Sequence, residues 1–366
     1  MRLKAIVFVF ILLFSTCFVF GQINAPKYSN EFLSIGVGAR SMGMSGSVAA
    51  SVDDATASYW NPSRLHLMNS ERQLTLMHAE YFAGIAKYDY GSLGIKINDS
   101  SAIAVTFIRL GVDNIPNTID LVDSQGNIHY DRITTFSIAD MAFFVSYGRK
   151  LKIENMSLGG SVKIIRRKIG DFAGAWGFGL DFALSYETGP WMFAAVARDA
   201  TSTFNAWSFN LSDRMKEVFT ITGNEIPENS LELTMPSLLL ASGRNIEISP
   251  SFGILPELGF HVTFDGKRNV PVRTDVFSVS PHMGIELNYK KFIYFRAGVG
   301  NIQQETNRDG KKITSFQPNM GIGIQIQDRI AIEYALTDIG DQSMALNSNI
   351  FSLRLSFNRT QKTPNE

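Results

Sequence analysis

The chain has 366 residues and carries 34 Lys and Arg against 34 Asp and Glu, so its formal net charge is zero. Without a basic excess or a basic stripe, a nucleic-acid footprint is excluded. Hydrophobic residues make up 45% of the chain, too few for a bundle of membrane helices but suited to a barrel in which every second strand residue meets lipid.

Residues Met1–Gly21 read as a secretory signal peptide. Arg2 and Lys4 give it a positive start, Ala5–Phe20 an apolar run, and Val19 and Gly21 a small-residue cleavage site. The mature chain would then begin at Gln22. Cys17 is the single cysteine and lies in the apolar run, so a mature chain has no thiol, disulfide or cysteine-bound metal. After Gly21 no apolar run approaches the ~18 residues of a spanning helix. Export without a later stop signal is what an outer-membrane barrel requires.

Residues 22–70 are expected to form an N-terminal extension and hatch. Ile23–Asn30 is polar and extended. Glu31–Met68 holds Gly36, Gly38, Gly43 and Gly46, then Asp53-Asp54, a helical stretch Ala55–Trp60 and Asn61-Pro62. Irregular backbone at membrane depth is tolerated only inside protein or a water-filled lumen, which predicts a plug within the barrel. Asp53 and Asp54 are placed to N-cap the helix, with cation binding as the rarer use of such a pair. Asn61-Pro62 ends the helix as a rigid turn, because a residue before proline avoids the helical region.

Residues 71–358 predict a closed antiparallel transmembrane β-barrel, all-β, of about fourteen strands. These fall near Arg72–Ala79, Ile85–Ile97, Ser101–Val112, Ser137–Gly148, Met156–Lys168, Gly174–Tyr186, Pro190–Asp199, Thr234–Ile246, Leu255–Asp265, Val279–Tyr289, Phe292–Ile302, Thr314–Ile326, Ile330–Asp338 and Asn349–Phe357. In the sixth, Trp176, Phe178, Leu180, Phe182 and Leu184 alternate with Gly177, Gly179, Asp181, Ala183 and Ser185. Such alternation puts grease outside and water inside. Strand two changes parity at Gly91-Ser92, which predicts a bulge. Inward charges Lys163, Asp181, Glu286, Arg296, Glu333 and Arg354 are expected to form a lattice that fills the lumen around the hatch. Even-to-odd turns are short and the long connections Asp113–Phe136 and Ala200–Leu233 lie at the other end, the loop sorting of an outer-membrane barrel.

The Ala200–Leu233 loop carries an amphipathic stretch, Leu211–Phe219, capped by Ser212 or Asn210. It also carries Phe204, Trp207 and Phe209, which either anchor a partner or pack onto the barrel rim. Residues 359–366 are a polar tail. His261, His282 and Ser280 lack the spacing of a hydrolase triad, and no HExxH, phosphate loop or metal-ligand set occurs. Gly36-Val37-Gly38 is followed by no βαβ unit. Neither catalysis, metal nor cofactor is expected.

The run Phe32-Leu33-Ser34-Ile35-Gly36-Val37-Gly38-Ala39-Arg40, with Met42-Gly43-Met44-Ser45-Gly46 and Asp53-Asp54-Ala55-Thr56-Ala57-Ser58-Tyr59-Trp60-Asn61-Pro62, resembles the PorV/PorQ family of Bacteroidota-type bacteria with type IX secretion. That family in turn is similar to long-chain fatty-acid transporter barrels, which share the Asn-Pro hatch motif. Phe264–Asn269, Ser280-Pro281-His282 and Phe295–Val299 are similar to the family's later barrel, and Ser63 stands where the family usually has alanine. The resemblance implies a non-enzymatic outer-membrane component of type IX protein secretion. It would bind the C-terminal signal domain of a secreted protein, or another secretion subunit, through its extracellular loops. The superfamily offers an alternative: a transporter for long-chain fatty acids or other hydrophobic small molecules. That function needs an apolar tunnel and a strand kinked to open sideways.

Overall fold

The computed structural model describes residues 29–123, 125–306, 309–338 and 348–358. The expected signal peptide and the polar tail lie outside these residues. The wall is a closed antiparallel barrel of fourteen strands. They are β1 (Arg72–Tyr81), β2 (Ala86–Asn98), β3 (Ser101–Asn117), β4 (Thr134–Lys150), β5 (Met156–Ile169) and β6 (Ala173–Thr188). β7 comes in two pieces, β7a (Trp191–Arg198) and β7b (Thr203–Phe209), and so does β8, as β8a (Ser230–Thr234) and β8b (Ser237–Arg244). β9 (Phe252–Thr263), β10 (Ser278–Tyr289), β11 (Ile293–Thr306), β12 (Lys312–Ile326), β13 (Ile330–Thr337) and β14 (Ser348–Phe357) complete the circuit. Closure is β1 against β14, from Arg72↔Phe357 to Glu80↔Asn349. A closed ladder leaves no edge unpaired in lipid.

The period-two pattern sorts the faces. Trp176, Phe182, Phe295, Ile332 and Phe351 face outward, while Ser161, Lys163, Asp181, Ala183, Glu333 and Ser352 are buried inside. Many inward positions are small, among them Ala102, Ala104, Ala142, Ser146, Ala183 and Ser185, and this leaves room for the hatch.

The bulge expected at Gly91-Ser92 is absent. The β1–β2 register runs unbroken through Tyr90↔Met77, Gly91↔Leu76 and Ser92↔Thr75, and the β2–β3 irregularity falls at Lys96/Asn98 instead. Parity does not change: Tyr88 and Tyr90 turn inward against the hatch. Lys87 and Asp89 face outward among His78, Glu80, Arg109 and Asp113, beyond the apolar belt.

The hatch occupies the lumen. It contains α1 (Ala39–Gly43), α2 (Ala57–Trp60) and a 3-10 turn, Pro62–Leu67. Its own core is of small and medium side chains, with Val37, Met44, Val48, Val52, Ala55, Leu65 and Met68 all fully buried. Polar backbone is satisfied by the wall. Ser58 Oγ reaches Thr106 Oγ1 at 2.7 Å and Ser92 Oγ at 3.2 Å, and the Ser146 hydroxyl donates to Ser58 O at 3.1 Å. His66 in the 3-10 turn donates from Nδ1 to Ser63 O at 3.0 Å.

Burial, aided by Arg64, holds His66 below its ordinary pKa. The unfolded chain therefore takes up this proton first, and hatch stability falls as pH drops below about 6.5 toward the depressed folded value. A lower urea midpoint at pH 5 than at pH 8, with that difference reduced in His66→Gln, is the expected result.

Candidate functional site

At the end of the short turns the lumen is floored by charge. Arg40 of α1 binds Asp53 at 3.1 Å and Glu286 of β10 at 2.9 Å. Arg296 of β11 binds the same Glu286 at 2.6 Å and Glu333 of β13 at 3.0 Å. The result is an alternating ladder from hatch to wall, Asp53–Arg40–Glu286–Arg296–Glu333. Beside it Arg354 of β14 binds Asp54 at 2.9 Å. Burial works against the charge of Asp54, but Arg354 and the bonds from Thr56 outweigh it and hold the carboxyl below its usual pKa. A polar cavity of about 200 Å³ lies against this floor. The expected lattice residues thus separate into two groups, because Lys163 and Asp181 sit higher. Lys163 binds Asp181 at 2.9 Å and Asp199 at 2.5 Å.

The two hatch aspartates do not cap the helix as expected. The N-cap of α2 is Thr56, and it makes no side-chain cap bond. Asp54 accepts instead from Thr56 N at 2.8 Å, tightening the turn ahead of the helix while holding Arg354. Asp53 serves Arg40. Asn61 is extended (φ −162°) and ends the helix. Its Nδ2 donates to Ala49 O at 2.6 Å and to Ser185 Oγ at 2.9 Å, so the Asn-Pro turn is fastened to the hatch and to β6. Trp60 Nε1 donates to Val37 O at 2.8 Å, and its ring borders the cavity above.

That cavity is a vestibule of about 1050 Å³ open toward the long loops. Ile35, Met42 and Trp60 line it from the hatch, and Tyr81, Phe82, Ile85, Leu110, Val112 and Leu239 from the wall. At its edge the wall is interrupted. β7a pairs with β8b up to Arg198↔Ser237, and β7b with β8a from Thr203↔Thr234. Between them residues 199–202 leave the β7–β8 ladder, with Asp199 and Ser202 both left-handed (φ 51° and 56°), and Met235-Pro236 breaks β8 opposite. Proline cannot donate to a ladder, so a strand breaks there at low cost. On the inner side the break is covered by the hatch's leading residues. Asn30 Nδ2 donates to Thr234 Oγ1 at 2.7 Å, Asn205 Nδ2 donates to Asn30 Oδ1 at 3.0 Å, and the Ser29 hydroxyl donates to Glu232 at 2.6 Å.

Phe204, Trp207 and Phe209 are not in a loop. They lie on β7b, which extends the wall, and the loop proper is only residues 210–229. The short Ser/Asn/Ala-containing segment alternates too weakly to be read as strand. Phe204 faces outward; Trp207 turns inward, donates to Glu232 at 2.6 Å and receives Arg167 over its ring at 5.0 Å. The helix beyond, α3, spans Asp213–Ile221 and is capped by Ser212. Neither Arg198 nor the double break carries a motif in the sequence, and His261, considered there only with His282 and Ser280 as a hydrolase set, lines the vestibule instead.

No protein-family model matches the sequence, and no curated protein matches it. Solved structures share the fold. The toluene transporter TbuX of Ralstonia pickettii aligns over 88% of this chain and 99% of its own, with TM-score 0.54 and 14% identity. The toluene transporter TodX of Pseudomonas putida aligns over 88% and 98%, with TM-score 0.54 and 12% identity. A FadL homologue of Pseudomonas aeruginosa aligns over 87% and 97%, with TM-score 0.51 and 12% identity. At such identities the likeness is one of fold: a closed β-barrel.

Proposed function

We propose that this chain is an outer-membrane channel for hydrophobic small molecules, which enter the vestibule from outside and leave sideways at the β7/β8 break. The observation that carries this reading is the meeting of the vestibule with the interrupted ladder: both are bordered by Arg198, His261 and Thr263. A straight path through the hatch is opposed by the ion-paired floor, where an apolar solute would have to separate buried charges at a cost of several kcal/mol each. A sideways exit calls only for the Ser29–Asn30 strap to shift from the break. The fold shared with toluene transporters supports the same ligand class. Proteoliposomes carrying the protein should take up radiolabelled toluene faster than empty ones, and Leu239→Arg, which puts a charge in the vestibule, should cut the excess about tenfold. Uptake no faster than through lipid alone would end this reading.

A second reading, a binding component of type IX secretion, is supported by the hatch motif and by the two long extracellular loops. Arg214 of α3 donates to Val122 O at 2.8 Å and lies 3.5 Å from Asp120, clasping the loops into one platform. Val122, Ile128, Tyr130 and Ile221 are exposed on these loops. Affinity purification from outer membranes tests it. A co-purified protein with a C-terminal β-sandwich signal, lost when residues 210–229 are replaced by a Gly/Ser linker, is the expected result; recovery of lipid alone counts against it.

A further inference from the structure

Arg198 closes β7a, directly before the break. Its guanidinium lies over the rings of Tyr59 and Trp60, at 4.6 Å and 5.5 Å from their centroids. Nη1 reaches the Tyr59 hydroxyl at 3.4 Å, while Nη2 is buried and finds no hydrogen-bond partner among the described residues. The carboxylates nearest in the cluster, Asp181 and Asp199, are held by Lys163. In the same lining, Nε2 of His261 is also buried without a partner among the described residues. A buried polar atom left without a partner is costly, and with Tyr81 Oη and Thr263 Oγ1 of the same lining also unpartnered, four such atoms in one cavity wall point to a ligand that completes some of them.

The local charge decides what head group fits. Arg198 and His261 also border a smaller pocket beside the break, with Thr234 and Pro236; among its described lining residues Lys163, Arg198 and Arg268 face Glu31, Asp181, Asp199 and Asp265, so carboxylates outnumber cations. An anionic head would add to a negative excess, and a cationic head would confront the N–H of Arg198. A neutral hydroxyl meets both requirements. Its lone pair accepts from Arg198 Nη2, and its proton or second lone pair serves His261 whichever ring nitrogen is protonated. The lining beside this pair is apolar and ring-bearing, with Trp60, Tyr81, Phe82 and Leu239. We propose that Arg198 and His261 form a polar subsite for the hydroxyl of a neutral aromatic alcohol, a phenol, whose ring lies in the vestibule. This rests on the channel reading and names its substrate class.

The test is calorimetric titration at pH 7 of the full mature protein in detergent, against empty micelles, with naphthalene, naphthol and naphthoate. Naphthol should bind about tenfold tighter than naphthalene, ~1.4 kcal/mol, and naphthoate more weakly than naphthol. Arg198→Met should bring the naphthol-to-naphthalene affinity ratio down to about one. If that variant does not fold, His261→Phe should lower the same ratio several-fold. Equal affinity for naphthol and naphthalene, or tightest binding of naphthoate, overturns the subsite. Failure of the wild-type protein to bind naphthalene at all counts against the channel reading itself.

Discussion

Glu286→Leu should loosen the hatch and make the barrel leak ions. Glu286 is 5% exposed and stands between two arginines, Arg40 of the hatch and Arg296 of the wall. Removing it leaves two buried cations facing each other without their shared carboxylate. Breaking a buried pair from one side costs about 3–5 kcal/mol, because the remaining charge stays desolvated and uncompensated. The loss should appear as a lower urea midpoint for the heat-modifiable barrel and as raised conductance in planar bilayers. Adding Arg40→Leu should restore most of the stability. Arg296 then keeps Glu333, and Asp53, whose side chain is 59% exposed, is left to water. An unchanged midpoint and conductance in Glu286→Leu would show that the ladder does not hold the hatch.

Gly159→Ala should prevent the hatch from seating. β4 and β5 meet the Pro62–Leu67 turn at Gly148 and Gly159. A β-carbon at Gly159 would stand 2.6 Å from Ser63 Cα and closer still to the Pro62–Ser63 peptide. At Gly148 it would run into the Pro62 carbonyl oxygen. These neighbours are backbone, so no rotamer change relieves the overlap, and the turn itself is fastened through Asn61 and Ser63 to Ser185. Overpacking of this kind costs about 1–3 kcal/mol, and more where the backbone must move. Gly159→Ala should expose the hatch to trypsin and lower the yield of folded barrel, with Gly148→Ala behaving alike. Gly91→Ala is the control: its β-carbon would meet only Leu76 Cδ2, at 3.5 Å, an ordinary contact. Equal protection of all three variants would refute the close-approach argument.

Much of the wall was readable in the chain because lipid imposes a rule on every strand. Outward positions must be apolar and inward ones need not be, so alternation alone marks fourteen strands and their faces, and inward Lys163, Asp181, Glu286, Arg296, Glu333 and Arg354 stand out as charges on the wrong parity for lipid. The hatch was readable for the converse reason, since Glu31–Met68, apart from its short helical stretch, follows no strand alternation and so belongs inside. Local errors arose where a second packing surface replaced lipid or water. Tyr88 and Tyr90 are apolar yet inward because the hatch covers them, which imitates a change of parity. Thr203–Phe209 carries too short an alternation to mark a strand, because the excursion at residues 199–202 interrupts it.

What only the closed structure decided is who meets whom. Arg40 finds Glu286 across 246 positions of sequence, and Arg354 finds Asp54 across 300. Neither pairing has a local signal, because barrel closure and hatch placement create it. The same holds for the break shared by β7 and β8 and for the unpartnered nitrogens of Arg198 and His261. Alternation is a property of one strand and its surroundings, and so it is written in one stretch of residues. A site inside a plugged barrel is the intersection of distant stretches, and its chemistry exists only once they are brought together.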